Sequence, residues 1–344
     1  MNYQGGRGSR GVAVPQHVVT RQGDPNVYLY LDELGRWFYY NPTEPADLLG
    51  EGAMGIVYRG YTCDADKRPI AIKRVRPEYE NNPQIRVRAR AEASNMFRHP
   101  NLVEMLGCCE YTPTYGPIFL LSNFVQGVNV DKYVASFANL PNRVEKICIV
   151  ICQVLDALDY CHKSGIVHRD VKPSNIMIED GANVRLMDLG ISRKNSGNSY
   201  SMDGFIGTPE YSAPEQIRGG KENINAQTDI YALGLTFYEL LDGTNPMAGP
   251  SEAETLTNQM KKQLPSSPRI PRRLMQVIWK ATEKEQAARY QTALEFKKAV
   301  IAAMTEEPSL WQKLQLWVQE NFLLFIVLLV SIAAIAFIIV LFII

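Results

Sequence analysis

The chain has 344 residues, enough for one large domain or two smaller ones, and 46% hydrophobic with 21% charged residues is a globular composition. Its 36 basic and 36 acidic residues give a formal net charge of zero, which removes any bulk electrostatic argument for a nucleic-acid partner. None of the six cysteines has the paired spacing of a zinc site, so we expect reduced thiols in a cytosolic domain rather than disulfides or a metal centre.

Two short regions precede the main part of the chain. Residues 1–26 are rich in Gly, Arg and Gln and lack the apolar run of a signal peptide, so we expect a disordered, solvated tail. Within residues 27–45, the β-prone runs 27–30 and 37–40 flank a turn-like stretch. This pattern predicts an added β-hairpin, whose role the sequence does not reveal.

A glycine-rich segment, residues 49–58, has the pattern GxGxxGxV. Its glycines, Gly50, Gly52 and Gly55, allow backbone N–H groups to approach phosphate oxygens that a Cβ would obstruct. The pattern alone is also compatible with a dinucleotide-binding loop, but that loop would open a helix. Because residues 56–61 are β-prone, we predict instead a hairpin that covers phosphates.

A lysine, Lys73, lies inside the apolar run 70–75. Such a position is costly unless the ammonium is paired, for example with phosphates on one side and a carboxylate on the other. The candidate carboxylate is Glu92, in the helix-prone stretch 85–97. If this run stood alone, a lysine extending to solvent from an edge strand would be the favoured alternative.

The segment 166–177 contains the pattern HRDxKxxN between apolar, strand-like residues. Asp170 is placed to accept a hydroxyl proton, and Asn175 supplies an amide oxygen for a hard cation. Lys172 can neutralise a transferred phosphoryl group, and a lysine here favours Ser/Thr over Tyr as the acceptor. Further along, Asp188 opens an Asp-Leu-Gly triplet and would bind the magnesium ions that bridge the phosphates.

Taken in order, these motifs resemble those of the protein-kinase superfamily. The resemblance continues through residues 207–215, which look like the Ser/Thr-kinase segment that ends in Ala-Pro-Glu, and through the buried helix that begins near residues 229–234. Arg289 stands where the family pairs an arginine with the glutamate of that segment, here Glu215. The resemblance covers residues 46–303, about three quarters of the chain, and its style is that of the bacterial receptor-like Ser/Thr kinases.

The resemblance implies an α+β, bilobal fold with a β-rich N-lobe, a helical C-lobe and ATP in the cleft between them. It implies transfer of the γ-phosphate of ATP to Ser/Thr hydroxyls of proteins, with Mg²⁺, or alternatively Mn²⁺, as the ion. The hinge is expected at residues 123–125, with the small Ser122 at the back of the pocket, which leaves room for bulky inhibitors. The implied catalytic residues are Asp170, Lys172, Lys73 and Glu92; the nucleotide-binding residues are Gly50, Gly52, Gly55, Val57, Ala71, Lys73, Asn123 and Val125; and the metal ligands are Asn175 and Asp188.

Two departures from the family pattern concern the site itself. Leucine replaces the usual phenylalanine after Asp188, and the interval from Glu92 to His99 is about two residues shorter than usual. Since no other acid lies on that helix, Glu92 is retained. Arg169, before the catalytic aspartate, is expected to bind a phosphorylated activation loop, and we predict autophosphorylation within residues 196–201.

The C-terminal segment 322–344 has 23 residues without a charge or a proline. As a helix it would extend roughly 34 Å, against about 30 Å of hydrocarbon, and this predicts a single transmembrane helix with no further domain beyond it. Lysines precede the span and none follows it, which places the kinase domain in the cytoplasm. Residues 304–321 form an amphipathic juxtamembrane segment that contacts lipid, or a helical linker that never does. Tethering favours transient self-association and autophosphorylation between neighbours.

Two other functions compete with a membrane-tethered protein kinase. A membrane-anchored pseudokinase scaffold is disfavoured because Lys73, Asp170, Asn175 and Asp188 are all present. A small-molecule kinase of related fold is disfavoured because residues 207–215 suit a peptide platform.

Overall fold

The computed structural model describes residues 17–52, 55–94, 97–189, 200–201, 204–205, 208–219 and 223–305, with residues 315, 317–319, 321–322 and 326. The chain divides into two compact units, Met1–Val300 and Ile301–Ile344. The elements that hold the candidate site all belong to the first unit.

An antiparallel sheet of eight strands forms the first part of this unit. The sheet order is β1-β2-β3-β5-β6-β8-β7, and β4 pairs with β5 outside this path. One helix, α1 (Pro83–Ala93), packs against β7 and β8. The strands are β1 (Val18–Thr20), β2 (Val27–Leu31), β3 (Arg36–Tyr40), β4 (Leu48–Glu51), β5 (Gly55–Thr62), β6 (Pro69–Val75), β7 (Met105–Glu110) and β8 (Ile118–Asn123).

The second part is mainly helical. Its helices are α2 (Val130–Ser136), α3 (Arg143–Lys163), α4 (Pro214–Arg218), α5 (Ala226–Asp242), α6 (Glu252–Lys261), α7 (Arg272–Ala281) and α8 (Ala293–Thr305). A small sheet carries β9 (Gly127–Asn129), β10 (Ile176–Glu179) and β11 (Asn183–Leu186), and a hairpin pairs β12 (Tyr200–Ser201) with β13 (Gly204–Phe205). A β-rich lobe followed by a helical lobe is the predicted bilobal α+β fold.

Local sequence explains where the helices that hold the site begin and end. The Asn82 side chain accepts the N–H groups of Gln84 and Ile85 and so caps α1, with proline at its first position. Asn225 caps α5 in the same manner, and α5 ends at Gly243 in the left-handed conformation, with φ 93°. Because α5 is apolar on nearly every side, it is buried at the centre of the helical lobe.

The N-terminal extension differs from the prediction in one respect. The hairpin of β2 and β3 is present as predicted, but Val18–Thr20, inside the tail predicted to be disordered, pairs with β2 as β1. Residues 1–16 lie outside the described residues. Three β-prone residues could not by themselves indicate a strand, because β1 needs β2 as its hydrogen-bonding partner.

The same extension contributes to the core of the β-rich lobe. Alternate side chains of β2 and β3 face inward and pack with residues of the main sheet. The hairpin is therefore an integral part of this lobe. The shared cluster contains Leu29, Leu31, Phe38, Tyr40, Tyr58, Ile70, Ile72, Cys109, Phe119 and Leu121.

We expect Leu31→Ala to lower the free energy of unfolding by about 2–5 kcal/mol, because Leu31 is completely buried against Gly107 and its truncation leaves a cavity. Urea denaturation measures this change. The control is Leu34→Ala in the adjoining turn, where the side chain is 40% exposed and the expected change is within about 0.5 kcal/mol. A loss for Leu31→Ala as small as that for Leu34→Ala would show that the extension does not share the core.

The predicted membrane span, residues 322–344, lies almost wholly outside the described residues, and so does most of the segment before it. Within the part of the chain that the structure describes, no helix combines the length and apolar character that crossing a bilayer requires.

Candidate active site

The glycine-rich segment forms a hairpin between β4 and β5, with the N–H of Gly52 donating to the carbonyl of Gly55 at 2.9 Å. A Cβ on Gly55 would lie 2.7 Å from the carbonyl oxygen of Arg74, so packing alone requires this glycine. Around Gly50 no described atom lies within 4 Å of an added Cβ, and at Gly52 the nearest is 3.8 Å away. Close approach of a ligand would account for these two glycines where packing does not.

Lys73, on β6, lies between two carboxylates. Its Nζ is 3.5 Å from Oε1 of Glu92, on α1, and 3.4 Å from Oδ1 of Asp188, beyond β11. Asp188 and then Glu92 raise the pKa of Lys73, which stays charged. Burial raises the pKa of the Glu92 carboxyl, and the neighbouring ammonium opposes that shift. Three predicted residues from distant parts of the chain thus converge at one point.

The loop before β10 gathers a second group of predicted residues around Asp170. The Lys172 ammonium is 3.2 Å from Oδ2 of Asp170 and donates to Oγ1 of Thr208 at 2.6 Å. The Thr208 hydroxyl in turn donates to Oδ1 of Asp170 at 3.3 Å. Asn175 donates its amide N–H to the Asp170 backbone carbonyl at 2.8 Å, which leaves its amide oxygen as the atom suited to a cation.

A buried aspartate beneath this loop holds its backbone. Arg169 and Asp188 have φ values of 67° and 49°, a strained conformation for residues other than glycine. Asp229, at the start of α5 and completely buried, accepts the N–H of Arg169 at 2.7 Å and that of His168 at 2.8 Å. Burial alone would raise the pKa of Asp229, but hydrogen bonding from His162 at 2.8 Å and its other donors holds it below the ordinary value.

Three further residues predicted to contact a nucleotide, Val57, Ala71 and Asn123, lie on strands β5, β6 and β8 of the main sheet. Val57 pairs with Lys73 across β5 and β6, and Ala71 pairs with Ser122 across β6 and β8. Asn123 is the last residue of β8, so the predicted hinge begins inside the strand. Its side chain donates to the Glu104 carboxylate at 3.2 Å. The nucleotide-binding roles of these residues stay predictions.

The two predicted ligands of a divalent ion lie in two different loops. Asp188 offers a carboxylate and Asn175 an amide oxygen, the donors that Mg²⁺ prefers. Among the described residues, no cluster of three or more His, Cys, Asp or Glu side chains gathers as a metal cage. The two ligands fit an ion that takes its remaining oxygens from phosphate groups and water rather than from the protein alone.

Comparison with known proteins agrees with this geometry. The profile of the protein kinase domain family matches residues 43–308. This chain belongs to the protein kinase family. Similar curated proteins are the serine/threonine-protein kinase PknB of Mycobacterium tuberculosis strain H37Rv (33% identical over 276 residues, 77% of this chain and 43% of that protein) and PrkC of Bacillus subtilis strain 168 (32% over 253 residues, 72% and 38%). Our chain thus spans about two fifths of the length of these relatives.

A solved structure, that of the Mycobacterium tuberculosis PknI kinase domain, matches this fold with a TM-score of 0.55. The two are 24% identical, and the match covers 85% of this chain and all of that one. The predicted bilobal fold is confirmed, and so is the predicted resemblance to bacterial Ser/Thr kinases.

The helical lobe of this kinase is held together by a buried ion pair. Arg289 donates to both carboxylate oxygens of Glu215, at 2.8 and 3.0 Å. The side chains of Thr228 and Gln286 also donate to this carboxylate, each at 2.9 Å. Since Glu215 lies in the first turn of α4 and Thr228 in α5, the pair joins the segment after Thr208 to the helix whose Asp229 holds the loop of Asp170.

Lys284 lies beside this pair, and burial, then the positive charge of Arg289, lowers the pKa of Lys284 to about 8 from its ordinary 10.5. Below pH 8 the lysine is charged in both the folded and the unfolded state. Burial of that charge then lowers the free energy of unfolding by its full amount. Between about pH 8 and pH 10.5 the folded state loses the proton before the unfolded state does, and the destabilisation caused by the buried charge declines.

We therefore expect Lys284→Met to raise the free energy of unfolding more at pH 7 than at pH 10, as measured by urea denaturation. Lys280→Met on α7 is the control, and a gain that grows with pH would contradict the expectation.

Sequence reasoning missed several contacts that shape the site. Arg76, just after β6, donates to the carbonyl of Gly52 at 2.9 Å and lies 3.3 Å from the Glu51 carboxylate, so it braces the glycine hairpin. His162 was not singled out although it contacts Asp229. No local pattern marks either residue, because each acts through a contact with a distant segment of the chain.

Proposed function

We propose that this chain transfers the γ-phosphate of ATP to Ser/Thr hydroxyls of proteins in a reaction that depends on Mg²⁺ or Mn²⁺. The observation that carries the proposal is that Nζ of Lys73 lies within 3.5 Å of the carboxylates of both Glu92 and Asp188. A separate group of contacts joins Asp170, Lys172 and Thr208. The first group suits the phosphates of a nucleotide and their ion, and the second suits an incoming hydroxyl.

Under this proposal, each side chain of the two groups has a separate role in phosphate transfer. Lys73, held by Glu92, contacts the phosphates, and Asp188 with Asn175 holds the ion. When bound, ATP and its ion supply the activated phosphoryl group and neutralise its charge. Asp170 orients the substrate hydroxyl and accepts its proton, while Lys172 stabilises negative charge that develops on the transferred group.

The Lys172–Thr208 hydrogen bond supports a Ser/Thr acceptor. At 2.6 Å it links the catalytic loop directly to the segment that precedes α4, which we assign as the platform for a peptide. This short link brings the platform close to Asp170, and such closeness favours an acceptor with a short side chain.

The direct test is transfer of labelled phosphate from ATP by the full chain in detergent or lipid vesicles, with Mg²⁺ and Mn²⁺ each supplied. We expect label on the protein itself or on a basic acceptor protein, lost in Lys73→Met and Asp188→Asn. Phosphoamino-acid analysis should find phosphoserine or phosphothreonine. A folded protein that binds ATP without transferring phosphate under any of these conditions would favour the pseudokinase scaffold, and label on a small molecule alone would favour a small-molecule kinase.

We propose in addition that residues 322–344 span a membrane once, with the kinase domain in the cytoplasm. The support is the uncharged run of 23 residues and the lysines that precede it. The full chain should float with lipid vesicles and resist extraction by alkaline carbonate, whereas a chain that ends at Asn321 should not float. If both chains float with the vesicles, or if neither does, the proposal of a membrane anchor in residues 322–344 is wrong.

Autophosphorylation of the activation loop, through transient self-association of tethered chains, is part of the same proposal. It rests on the serines within residues 196–201 and on Arg169 beside Asp170. Phosphopeptide mapping of active protein should find phosphate within this range. An unmodified loop in fully active protein would contradict autophosphorylation at these serines.

A further inference from the structure

Arg86 lies in the first turn of α1 and is 2% exposed, which is unusual for an arginine. Its guanidinium does not contact the nucleotide site. Instead it reaches the turn between β7 and β8, residues 111–117, and the loop before α1. Its Nη2 lies 3.3 Å from the Glu110 carboxylate. The backbone carbonyls that it contacts are those of Glu80 at 2.6 Å, Gly116 at 2.9 Å and Pro113 at 3.3 Å, together with that of Thr112.

A second arginine reinforces this contact. Arg90, one helical turn further along, donates from Nε to the Glu110 carboxylate at 2.9 Å and from Nη2 to the carbonyl of Pro113. The two arginines lie on the same side of α1, as residues four positions apart do. Together with Glu110 they fasten the helix to the turn 111–117.

Apolar packing contributes little to the position of this helix. Its buried residues are two arginines, two alanines and a glutamate: Arg86, Arg88, Ala89, Glu92 and Ala93. Alanine buries little surface, and the large apolar side chain that α1 places against the sheet is the partly buried Ile85, which packs on the cluster around Ile118 and Leu120. Because this apolar contact is small, the contacts of Arg86 and Arg90 are a substantial part of what holds the helix in place.

The position of α1 matters because α1 carries Glu92. Six residues separate Arg86 from Glu92, a rise of about 9 Å along the axis. A tilt at the arginine end therefore moves the carboxylate, and the Lys73–Glu92 distance of 3.5 Å leaves little room for displacement. Resting on the kinase activity proposed above, we infer that Arg86 is a positioning residue: it sets α1 so that Glu92 reaches Lys73.

The first measurement is steady-state phosphotransfer by the full chain carrying Arg86→Gln. We expect kcat to fall at least about tenfold, since small misplacements remote from the chemistry have effects of this size. Arg86→Lys keeps the charge and should recover part of the loss. The matched control is Arg98→Gln, because Arg98 is 87% exposed and makes a single ion pair with Glu104. We expect its kcat to stay within about twofold of the parent chain.

The deciding measurement is a double-mutant cycle with Glu92→Gln. If Arg86 acts through Glu92, Arg86→Gln should lower kcat by less than about twofold further once Glu92 is replaced. A loss of the same factor in both backgrounds, or no loss in the parent chain, would overturn the inference. Should Arg86→Gln fail to fold by circular dichroism, Glu110→Gln takes its place in the cycle, because both arginines share that carboxylate.

Nucleotide binding separates failure of this inference from failure of the proposed function. The same cycle is run on the Kd of a non-hydrolysable ATP analogue by calorimetry, which requires no catalysis. If the parent chain transfers no phosphate but Arg86→Gln weakens binding only when Glu92 is present, the kinase proposal fails and the positioning role stands. A parent chain that neither transfers phosphate nor binds the analogue overturns both.

Discussion

Asp170→Asn should lower kcat for phosphotransfer by about 10²- to 10⁴-fold, the usual contribution of a positioned general base. Asparagine keeps the shape of the side chain but cannot accept a proton. The contacts of Asp170 with Lys172 at 3.2 Å and Thr208 at 3.3 Å place the carboxylate where a substrate hydroxyl would have to approach. Since the asparagine amide can still orient the acceptor, we expect KM for the peptide to change much less than kcat.

Steady-state kinetics with a peptide acceptor measures both constants. The control is Asp159→Asn on α3, which removes a carboxylate paired only with Lys163 one turn away. We expect its kcat to stay within about twofold of the parent chain. If Asp170→Asn retained more than about a tenth of the parent kcat, proton acceptance by Asp170 would be excluded as a major part of catalysis.

Arg289→Leu should lower the free energy of unfolding by about 3–5 kcal/mol at pH 7, because it leaves the buried Glu215 carboxylate without its cation. The side chain of Arg289 is 0% exposed and that of Glu215 5% exposed, so water cannot replace the lost partner. A surface pair provides the control: Arg218→Leu breaks a contact of 3.8 Å with the largely exposed Glu285 and should cost less than about 1 kcal/mol.

The pH dependence of this loss has a definite sign. Burial by itself raises the pKa of Glu215, but the hydrogen bonds and charge of Arg289 more than offset it, so the pKa lies below its ordinary value of 4.5. The stabilisation by the pair is therefore present above pH 4.5 and is lost as the pH falls through the folded-state pKa. In Arg289→Leu the carboxyl can take up a proton instead, so the difference between variant and parent should shrink at acid pH.

Urea denaturation at pH 7 and at pH 4 tests both statements. The double variant Glu215→Leu, Arg289→Leu should recover part of the loss, because it removes the orphaned charge as well as its partner. A loss that is the same at both pH values, or below about 1 kcal/mol, would show that the pair contributes no more than a surface ion pair.

The sequence by itself determined which side chains gather in the loop before β10. Asp170, Lys172 and Asn175 lie within one short segment, and their contacts with each other follow from local backbone geometry. The family and the bilobal fold were therefore predictable. So was the β2–β3 hairpin, because strand alternation and a short turn are local signals.

Only the tertiary structure decided how deeply distant residues are buried and which contacts they make beyond the predicted pairs. Lys73 and Asp188 are 115 positions apart, and no pattern in the sequence predicted their direct contact. The pairing of Glu215 with Arg289, 74 positions apart, was implied by the family resemblance, but its nearly complete burial was not. The burial of Arg86 against the turn 111–117, and the place of Leu29 and Leu31 in a core shared with β6 and β8, carry no local signal. The physical reason is that hydrogen-bond capacity and backbone preference belong to a residue and its neighbours in sequence, whereas burial and ion pairing depend on whatever the fold packs against it.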